Sequence, residues 1–327
     1  MPEPILSLRD VCVDYITEHG PVHAIDRVSL DVLPGEILGV AGESGSGKST
    51  LAQAILRTLP PPAVITGGRA VFEGRDLFAL SEEELRQVRW KRISIVFQSA
   101  MDALNPVITV GEQIADTLLA HGAFSGRACR SRAAELLEMV DIPGDRLDAY
   151  AHQLSGGMRQ RVGIALALAL EPSLVILDEP TTALDVIVER GILDRIRVLQ
   201  RERGFSVLFI THDLARMLEF ADRVAVFYAA RLAEMGPSAE LLRSPRHPYT
   251  QGLLRAFPPV HPGAEEPVSI GGSPPSLVSP PPGCRFHPRC GVAIEECRRI
   301  APGAVHVGPG HVAACHLLGA PAARDRE

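Results

Sequence analysis

The chain has 327 residues, of which 46% are hydrophobic, and its 33 Lys and Arg against 39 Asp and Glu give a net charge of −6. This size allows a sizeable core and favours one main domain with an appendage. The net negative charge, without a block of like charges, argues against binding to nucleic acid without sequence specificity. The start of the chain lacks a basic region followed by an apolar run, and Ile164–Leu170 is too short an apolar stretch to span a membrane. The sequence therefore predicts a soluble, cytoplasmic protein.

The first part of the chain favours short strands that lead into a helical region. The predicted strands are Ser7–Asp14, Ser29–Val32 and Glu36–Ala41, separated by the turn pairs Gly20-Pro21 and Pro34-Gly35. A helix over Ser49–Leu59 and a buried strand over Ile93–Phe97 follow. Helical periodicity then runs from Val110 to Gln153, with breaks at Gly126 and Pro143-Gly144. We expect a helical subdomain, at about residues 99–160, inserted into an α/β core.

The second half alternates between helices and apolar strands. The predicted elements are the helix Gly157–Leu170, the strand Leu174–Leu177, the helix Val186–Arg203, the strand Ser206–Ile210, the helix Leu214–Ala221 and the strand Val224–Tyr228. Such alternation is typical of βαβ units and predicts a parallel sheet covered on both faces. Residues 258–283 hold nine prolines, which favours an extended linker. No internal repeat is present, so a fused pair of units is excluded.

Residues 42–49, Gly-Glu-Ser-Gly-Ser-Gly-Lys-Ser, fit the phosphate-binding pattern G-x-x-x-x-G-K-[ST] between a predicted strand and a predicted helix. Glycines let backbone N–H groups curl around phosphates, and the helix turns its positive end toward the anion. We expect Lys48 to neutralise the β- and γ-phosphates of ATP and Ser49 to hold Mg²⁺. A plain glycine-rich turn is the alternative. The predicted nucleotide contacts here are Gly42, Glu43, Ser44, Gly45, Ser46, Gly47, Lys48, Ser49 and Thr50.

Two acids follow the apolar strand Leu174–Leu177. Asp178 and Glu179 stand at its C-terminal edge, where open α/β sheets bind ligands. This position suits Mg²⁺ binding by Asp178 and activation of the attacking water by Glu179. The alternative is that the two acids only cap a helix after Pro180.

The segment Leu154-Ser155-Gly156-Gly157-Met158 precedes a predicted helix, where the serine could simply be an N-cap. In order with the phosphate loop and the acid pair, it resembles the LSGGQ signature of ABC (ATP-binding cassette) ATPases, with Met158 at the usual Gln position. The resemblance covers residues 5–236. It implies that Ser155, Gly156 and Gly157 bind the γ-phosphate held by a partner chain, so that one chain supplies half of each site.

The same resemblance implies roles for further single residues. Gln98 is similar to the Q-loop glutamine, between magnesium and the transmembrane coupling surface, Asp185 to the D-loop acid in Ala183-Leu184-Asp185, and His212 to the switch histidine. Taken alone, Gln98 could be a solvated loop residue and His212 a helix cap. Tyr15, near a strand end, is either the aromatic that stacks on adenine or a core residue.

The family resemblance implies a P-loop NTPase (RecA-like) α/β core with an antiparallel β entry, over residues 1–236. Residues 237–327 then form a Cys-rich C-terminal extension with the proline-rich linker. Three stretches resemble the dipeptide, oligopeptide and nickel permease ATPases more closely. They are Phe97–Pro106, which is similar to an extended Q-loop, His247–Leu254, and the tail Cys284-Arg-Phe-His-Pro-Arg-Cys290 with Cys297, Pro302 and Cys315-His316.

This subfamily resemblance implies the ATP-hydrolysing subunit of an importer, peripheral at the cytoplasmic face of the membrane. Its implied partners are a second, different ATPase subunit, two transmembrane permease subunits and, indirectly, an extracytoplasmic solute-binding protein. One rival is a soluble ABC protein of DNA maintenance or translation, but the stretch from Lys48 to Leu154 is too broken for its long coiled coil. A second rival is a cassette regulated by a metal-sensing tail.

Four cysteines crowd near the end of the chain: Cys284, Cys290, Cys297 and Cys315. In a reducing compartment such a cluster favours metal ligands over disulfides. The five, six and seventeen intervening residues do not give the closely paired hooks that zinc sites prefer. The subfamily resemblance points to a [4Fe-4S] cluster, whose larger core four spaced thiolates can enclose. Zinc, with His287, His311 or His316 as further ligands, and four unbound thiols remain the alternatives.

Overall fold

The computed structural model of the chain describes residues 2–98, 103–122, 127–182, 184–256 and 268–318. Several features singled out in the sequence lie outside these residues. They are residues 99–102 of the predicted Q-loop, Gly126, Ala183 of the predicted D-loop, and residues 257–267 at the start of the proline-rich stretch.

The described residues form a mixed α/β structure. Its strands are β1 (Leu6–Thr17), β2 (Gly20–Val32), β3 (Ile37–Gly42), β4 (Ala63–Phe72), β5 (Arg75–Asp76), β6 (Ile93–Val96), β7 (Leu174–Asp178), β8 (Ser206–Ile210), β9 (Arg223–Tyr228), β10 (Arg231–Pro237), β11 (Val305–Gly308) and β12 (His311–Ala313). Its α-helices are α1 (Lys48–Ile55), α2 (Glu82–Val88), α3 (Val110–Ala120), α4 (Arg127–Met139), α5 (Gly156–Leu168), α6 (Val186–Arg203), α7 (Leu214–Phe220), α8 (Ser238–Arg243) and α9 (Pro248–Ala256).

The predicted alternation of helices and strands between Gly157 and Tyr228 is confirmed within one or two residues at each boundary. Other predictions were incomplete. The strand expected over Ser29–Val32 is only the end of β2, which already begins at the turn residue Gly20. The strands β4, β5, β10, β11 and β12 and the helices α2, α8 and α9 were not predicted.

The chain divides into two compact units. The first unit contains residues 1–5, 32–36 and 79–209. In it, β8, β7 and β6 lie side by side in that order. β6 and β7 run parallel, with Ile93 opposite Leu174 and Val96 opposite Leu177. Every residue of β6, β7 and β8 is buried, as expected for parallel strands covered by helices.

The second unit contains residues 6–31, 37–78 and 210–327. It has an antiparallel sheet of order β2-β1-β4-β5, in which Leu6 pairs with Phe72 and Tyr15 with Ala63. It also contains strands in the order β11-β12-β10-β9-β3. β3 and β9 are parallel, whereas β9, β10, β12 and β11 are antiparallel to their neighbours. The antiparallel entry to the fold is thus present.

The C-terminal hairpin β11–β12 is joined to this sheet by a buried carboxylate. Glu234 in β10 is fully buried and accepts hydrogen bonds from Arg246 N (2.7 Å) and His247 N (2.9 Å). Its Oε1 also lies 2.7 Å from His311 Nε2 in β12. A buried carboxylate is tolerated when donors surround it in this way. Glu234 therefore ties β10 to both the segment before α9 and the tail.

No helix within the described ranges has the length and apolar character needed to cross a bilayer. The longest of them, α6, ends in Arg201 and Arg203 and carries charged residues along its length.

His247 is buried beside Glu234, and its Nδ1 accepts a hydrogen bond from Tyr249 N at 3.0 Å. Burial lowers the pKa of His247 from 6.5 to about 4. The folded protein thus prefers the neutral ring, whereas the unfolded chain takes up a proton near pH 6.5. This contribution to stability is complete above pH 6.5 and is lost as the pH falls toward 4.

We therefore expect the free energy of unfolding to fall by as much as about 1.4 kcal/mol per pH unit below pH 6.5 because of His247. The measurement is urea unfolding between pH 7.5 and 4.5, comparing His247→Asn with the unmodified protein. The variant should show a flatter pH profile in this window. His306→Asn is the matched control, because His306 is exposed. Equal slopes for all three proteins would contradict the assignment.

Candidate active site

The phosphate loop, residues 42–49, connects β3 to α1 as its sequence pattern predicts. Its backbone can be built only from glycine at two positions. Gly42 has a φ of 150° and Gly47 a φ of 101°. A Cβ at Gly42 would overlap the carbonyl oxygen of Phe227, and one at Gly47 would overlap that of Ala24. The loop is therefore a tightly supported turn, with its exposed side formed by Ser44 and Gly45.

Two polar side chains of the loop are buried in a way that suits an anion. Lys48 is only 5% exposed, and its Nζ donates to the carbonyl oxygens of Gly42 (2.8 Å) and Glu43 (3.0 Å). The hydroxyl of Ser46 is buried and has no hydrogen-bond partner among the described residues. A buried hydroxyl without a partner costs free energy that a phosphate oxygen could recover. Ser49 and Thr50, in the first turn of α1, are partly exposed.

Glu43 lies in the loop with two partners that the sequence did not suggest. Its backbone N donates to the hydroxyl of Tyr249 at 3.0 Å. Its carboxylate forms an ion pair with Arg289 at 2.8 Å. Both partners lie beyond residue 236, where the sequence showed only a resemblance and a cysteine pattern.

Tyr15 lies near the end of β1 and is partly exposed. Its hydroxyl is 3.4 Å from the Oγ1 of Thr50, which follows the phosphate loop. The side chain is thus beside the loop and is not fully buried in the core. Stacking of Tyr15 on adenine stays a prediction.

In the first unit, Asp178 and Glu179 follow one another at the end of β7. Asp178 is 3% exposed, and Glu179 adopts a left-handed conformation with a φ of 47°. The Oε2 of Glu179 accepts hydrogen bonds from Gln98 Nε2 (3.1 Å) and Thr182 Oγ1 (3.0 Å). Two donors on one oxygen orient the carboxylate. Gln98 is exposed but contacts Glu179, and Thr182 is a further contact of Glu179 that sequence reasoning missed.

The alternative that the acid pair caps a helix after Pro180 is wrong. The next helix, α6, begins at Val186, and its N-cap is Asp185. The Oδ1 of Asp185 accepts from Ile187 N (3.1 Å) and Val188 N (3.0 Å). The predicted D-loop acid thus has a structural task in its own chain.

Ser155 caps α5 and accepts a hydrogen bond from Met158 N at 3.3 Å, so the simpler interpretation as an N-cap is also correct. Ser155 remains exposed, and Gly156 and Gly157 are partly exposed. A Cβ at Gly157 would lie 2.6 Å from Cγ1 of Val188, in the first turn of α6. The lack of a side chain at Gly157 therefore lets the beginnings of α5 and α6 pack closely, which brings the predicted signature and D-loop together.

His212 follows β8 and is exposed. The alternative that it caps the next helix is wrong, because the N-cap of α7 is Asp213, whose side chain accepts from Arg216 N at 3.1 Å. The position of His212 after this strand agrees with its predicted place, and its role as a switch stays a prediction.

The four tail cysteines come together around one small cavity. Cys284, Cys290, Cys297 and Cys315 line it with His287 and His316. All four are free thiols. Burial raises the pKa of Cys284, Cys290 and Cys315, and the neighbouring thiols add to the rise.

The described residues nevertheless contain no group of three or more His, Cys, Asp or Glu side chains placed to hold a metal ion. His311, one of the histidines considered for zinc, is bonded to Glu234 instead and does not line the cavity. A cluster or a zinc ion in the tail thus stays a prediction.

Comparisons with known proteins match most of the chain. The family model "ABC transporter" matches residues 25–182, and the model "Oligopeptide/dipeptide transporter, C-terminal region" matches residues 233–297. The dipeptide transport ATP-binding protein DppD of Bacillus subtilis is 45% identical over 318 residues, which are 96% of this chain and 95% of that protein. The oligopeptide transport ATP-binding protein OppD of the same organism is 44% identical over 96% of this chain and 89% of that protein.

Solved structures show the same likeness. A dimer of the ATP-binding cassette MJ0796 in a post-hydrolysis state, bound to ADP and Pi, superposes with a TM-score of 0.65 at 31% identity. The superposition covers 71% of this chain and 98% of the MJ0796 chain. The structure of cbiO1 from Clostridium perfringens, part of the transporter complex cbiONQ, gives a TM-score of 0.64 at 27% identity, over 74% of this chain and 92% of that one.

Proposed function

Because this chain belongs to the ATP-binding proteins of ABC transporters, we propose that it is the ATP-hydrolysing subunit of an importer of peptides or a related small solute. Its fold is that of an ABC cassette, a P-loop NTPase of mixed α/β structure. The observation that carries the proposal is the phosphate loop, with its buried Lys48 and a Ser46 hydroxyl that no group in the described part of the chain satisfies. The relatives are transport proteins, which disfavours a role in DNA maintenance or translation.

The phosphate loop fits ATP with Mg²⁺. Lys48 already faces the inside of the loop and would exchange its two carbonyl acceptors for phosphate oxygens. The hydroxyl of Ser49 and the carboxylate of Asp178 would hold Mg²⁺, with Gln98 as a further oxygen ligand. Bound Mg²⁺ would neutralise part of the charge that develops on the phosphates. Tyr15, beside Thr50, would stack on the adenine ring.

Glu179 would orient the attacking water. Its Oε2 is held by Gln98 and Thr182, and this fixes the orientation of the carboxylate that would take a proton from the water. The exposed imidazole of His212 would act with it as the switch that senses the γ-phosphate.

Each site would be completed by a second cassette. Ser155, Gly156 and Gly157 lie at the accessible beginning of α5, where their N–H groups can meet a phosphate of a partner chain. Asp185 would contact the partner from the beginning of α6. The subfamily resemblance favours a heterodimer with a different cassette, docked on two permease subunits at the cytoplasmic face of the membrane and served indirectly by an extracytoplasmic binding protein.

The domain division that we propose places the cassette in residues 1–236, with a helical subdomain at about 99–160, and the C-terminal extension in residues 237–327. In support of the helical subdomain, α3 and α4 lie within residues 99–160, and α5 begins there. The match of a separate C-terminal family model to residues 233–297 supports the boundary near residue 236.

In the tail, we propose that the four cysteines hold a [4Fe-4S] cluster, with zinc as the alternative. The support is that the four thiols line one cavity although 30 residues lie between the first and the last of them. When bound, a cluster would supply folding free energy to a segment with little apolar core of its own.

The first prediction concerns Glu179. We expect Glu179→Gln to bind ATP almost normally and to lose turnover by at least about 100-fold, because the amide keeps the shape but cannot take a proton. Nucleotide affinity and phosphate release are measured on the same preparation. Glu202→Gln, at an exposed position in α6, is the control and should retain both. Near-normal hydrolysis by Glu179→Gln would refute its role.

A second prediction follows from the shared site. Lys48→Ala should abolish ATP binding by its own chain, whereas Ser155→Arg should spare binding and block closure of two cassettes by filling the space for a γ-phosphate. Binding is measured on the isolated chain and closure by ATP-dependent association of cassettes. Ser155→Ala removes the same helix cap, at about 1 kcal/mol, without adding bulk and is the matched control. Equal loss of affinity in Lys48→Ala and Ser155→Arg would refute a composite site.

The third prediction concerns the tail. Protein purified without oxygen should contain stoichiometric iron and sulfide, and replacement of the four tail cysteines by serine should remove both and unfold the tail. Cys12→Ser changes a cysteine outside the cavity and should retain the metal. Stoichiometric zinc without iron would overturn the cluster. A folded tail in the four-serine variant, judged by hydrogen exchange, would overturn its structural role.

A further inference from the structure

The tail contacts the phosphate loop through a two-pronged ion pair. Arg289, immediately before Cys290, donates from Nη1 to Glu43 Oε2 at 2.8 Å and from Nη2 to Glu43 Oε1 at 3.0 Å. The Arg289 side chain is 5% exposed and that of Glu43 is 25% exposed. A bidentate pair of a guanidinium and a carboxylate with so little exposure is stronger and more directional than a surface ion pair.

Arg289 is itself held in place by contacts with residues other than Glu43. Its Nε donates to Gly271 O at 2.9 Å, and its Nη2 also donates to Ile270 O at 3.3 Å. The guanidinium lies 5.7 Å from the ring centre of Tyr228 and donates to the hydroxyl of that tyrosine at 3.3 Å. These contacts fix the orientation of the guanidinium relative to Glu43.

The backbone of Glu43 is held from the same region. Its N–H donates to Tyr249, which is fully buried in α9. The ring of Tyr249 packs on Tyr228 at 4.5 Å and on Phe286 at 5.4 Å between ring centres. Phe286 is in the tail, three residues before Arg289. Aromatic packing therefore joins the two supports of Glu43 into one rigid group.

Glu43 places a negative charge in a loop that has to accept phosphates. Without a partner, its carboxylate would repel the nucleotide and would be free to move. Arg289 neutralises the carboxylate and, by its two hydrogen bonds, holds the Glu43 side chain in place. We propose that Arg289 is a positioning residue for the phosphate loop, so that the tail sets the affinity for ATP through Glu43. This inference rests on the proposed function of the loop.

The test is a double-mutant cycle with ATP affinity as its readout. Equilibrium binding of Mg-ATP is measured on the full-length chain with Arg289→Ala, Glu43→Ala and both substitutions together. We expect Arg289→Ala to raise Kd roughly tenfold, equivalent to about 1.4 kcal/mol. In the Glu43→Ala background the same substitution should change Kd by less than roughly twofold, because the charge and the anchor are already gone. The Kd of Arg289→Lys should lie between those of the unmodified chain and Arg289→Ala, since lysine keeps the positive charge but cannot form two parallel hydrogen bonds to a carboxylate.

The matched control is Arg298→Ala, which replaces an exposed arginine of the same tail that lies 3.8 Å from Glu295. It should leave Kd unchanged. For the unmodified chain and Arg289→Ala, hydrolysis at saturating ATP should agree within roughly twofold, so that the effect lies in KM. Hydrogen exchange of residues 284–318 reports whether the tail stays folded.

Two results would overturn the inference. One is an unchanged Kd in Arg289→Ala. The other is an equal rise of Kd in both backgrounds, which would mean that Arg289 acts on the fold of the tail and not through Glu43. This second result is diagnostic even if Arg289→Ala loosens the tail. Failure of the unmodified chain to bind ATP would instead contradict the proposed function.

Discussion

A loop that binds phosphates has to keep backbone N–H groups available to the ligand while its shape is held by other contacts, and this constraint governs the surroundings of residues 42–49. The support has to come from atoms that do not face the ligand. Ala230 N donates to the carbonyl oxygen of Ser46 at 3.1 Å, and the carbonyl oxygens of Phe227 and Ala24 leave room only for glycine at Gly42 and Gly47. Strands β2 and β9 thus shape the loop through their main chains. Such support is indifferent to most side-chain substitutions in the strands, whereas a single methyl group in the loop would be in conflict with it.

At the beginnings of α5 and α6, single residues likewise serve both the local fold and a proposed contact. Ser155 and Asp185 each cap a helix of their own chain, and each is also a residue that we assign to the contact with a partner cassette. A cap fixes the orientation of a side chain without burying it. The caps therefore hold these two residues in a defined geometry before a partner arrives, so that less conformational entropy is lost on association.

Local patterns were sufficient for the parts of the fold that are continuous in sequence. The phosphate loop, the acid pair after β7 and the alternation from α5 to β9 each depend on a run of neighbouring residues, and each was predicted. Strand β4 was missed because Gly67 and Gly68 interrupt its pattern, and its existence depends on pairing with β1, more than forty residues earlier. The partners of Glu43 lie over 200 residues away in sequence, and no local signal distinguishes Arg289 from its neighbours. Thr182 is close to Glu179, but a threonine in a loop carries no pattern either.

The hairpin β11–β12 has a further consequence for the sheet of the second unit. Strand β12 pairs with β10 at Glu234 and Met235, and Ala314 N donates to Ala233 O at 2.8 Å. Without the hairpin, β10 would present unpaired N–H and C=O groups at the edge of the sheet, which is the usual template for pairing between chains. The hairpin moves the edge outward to β11, which has four residues and includes the exposed His306. A strand of only four residues is a poor template for a further strand, which reduces the tendency of this sheet to pair with another chain.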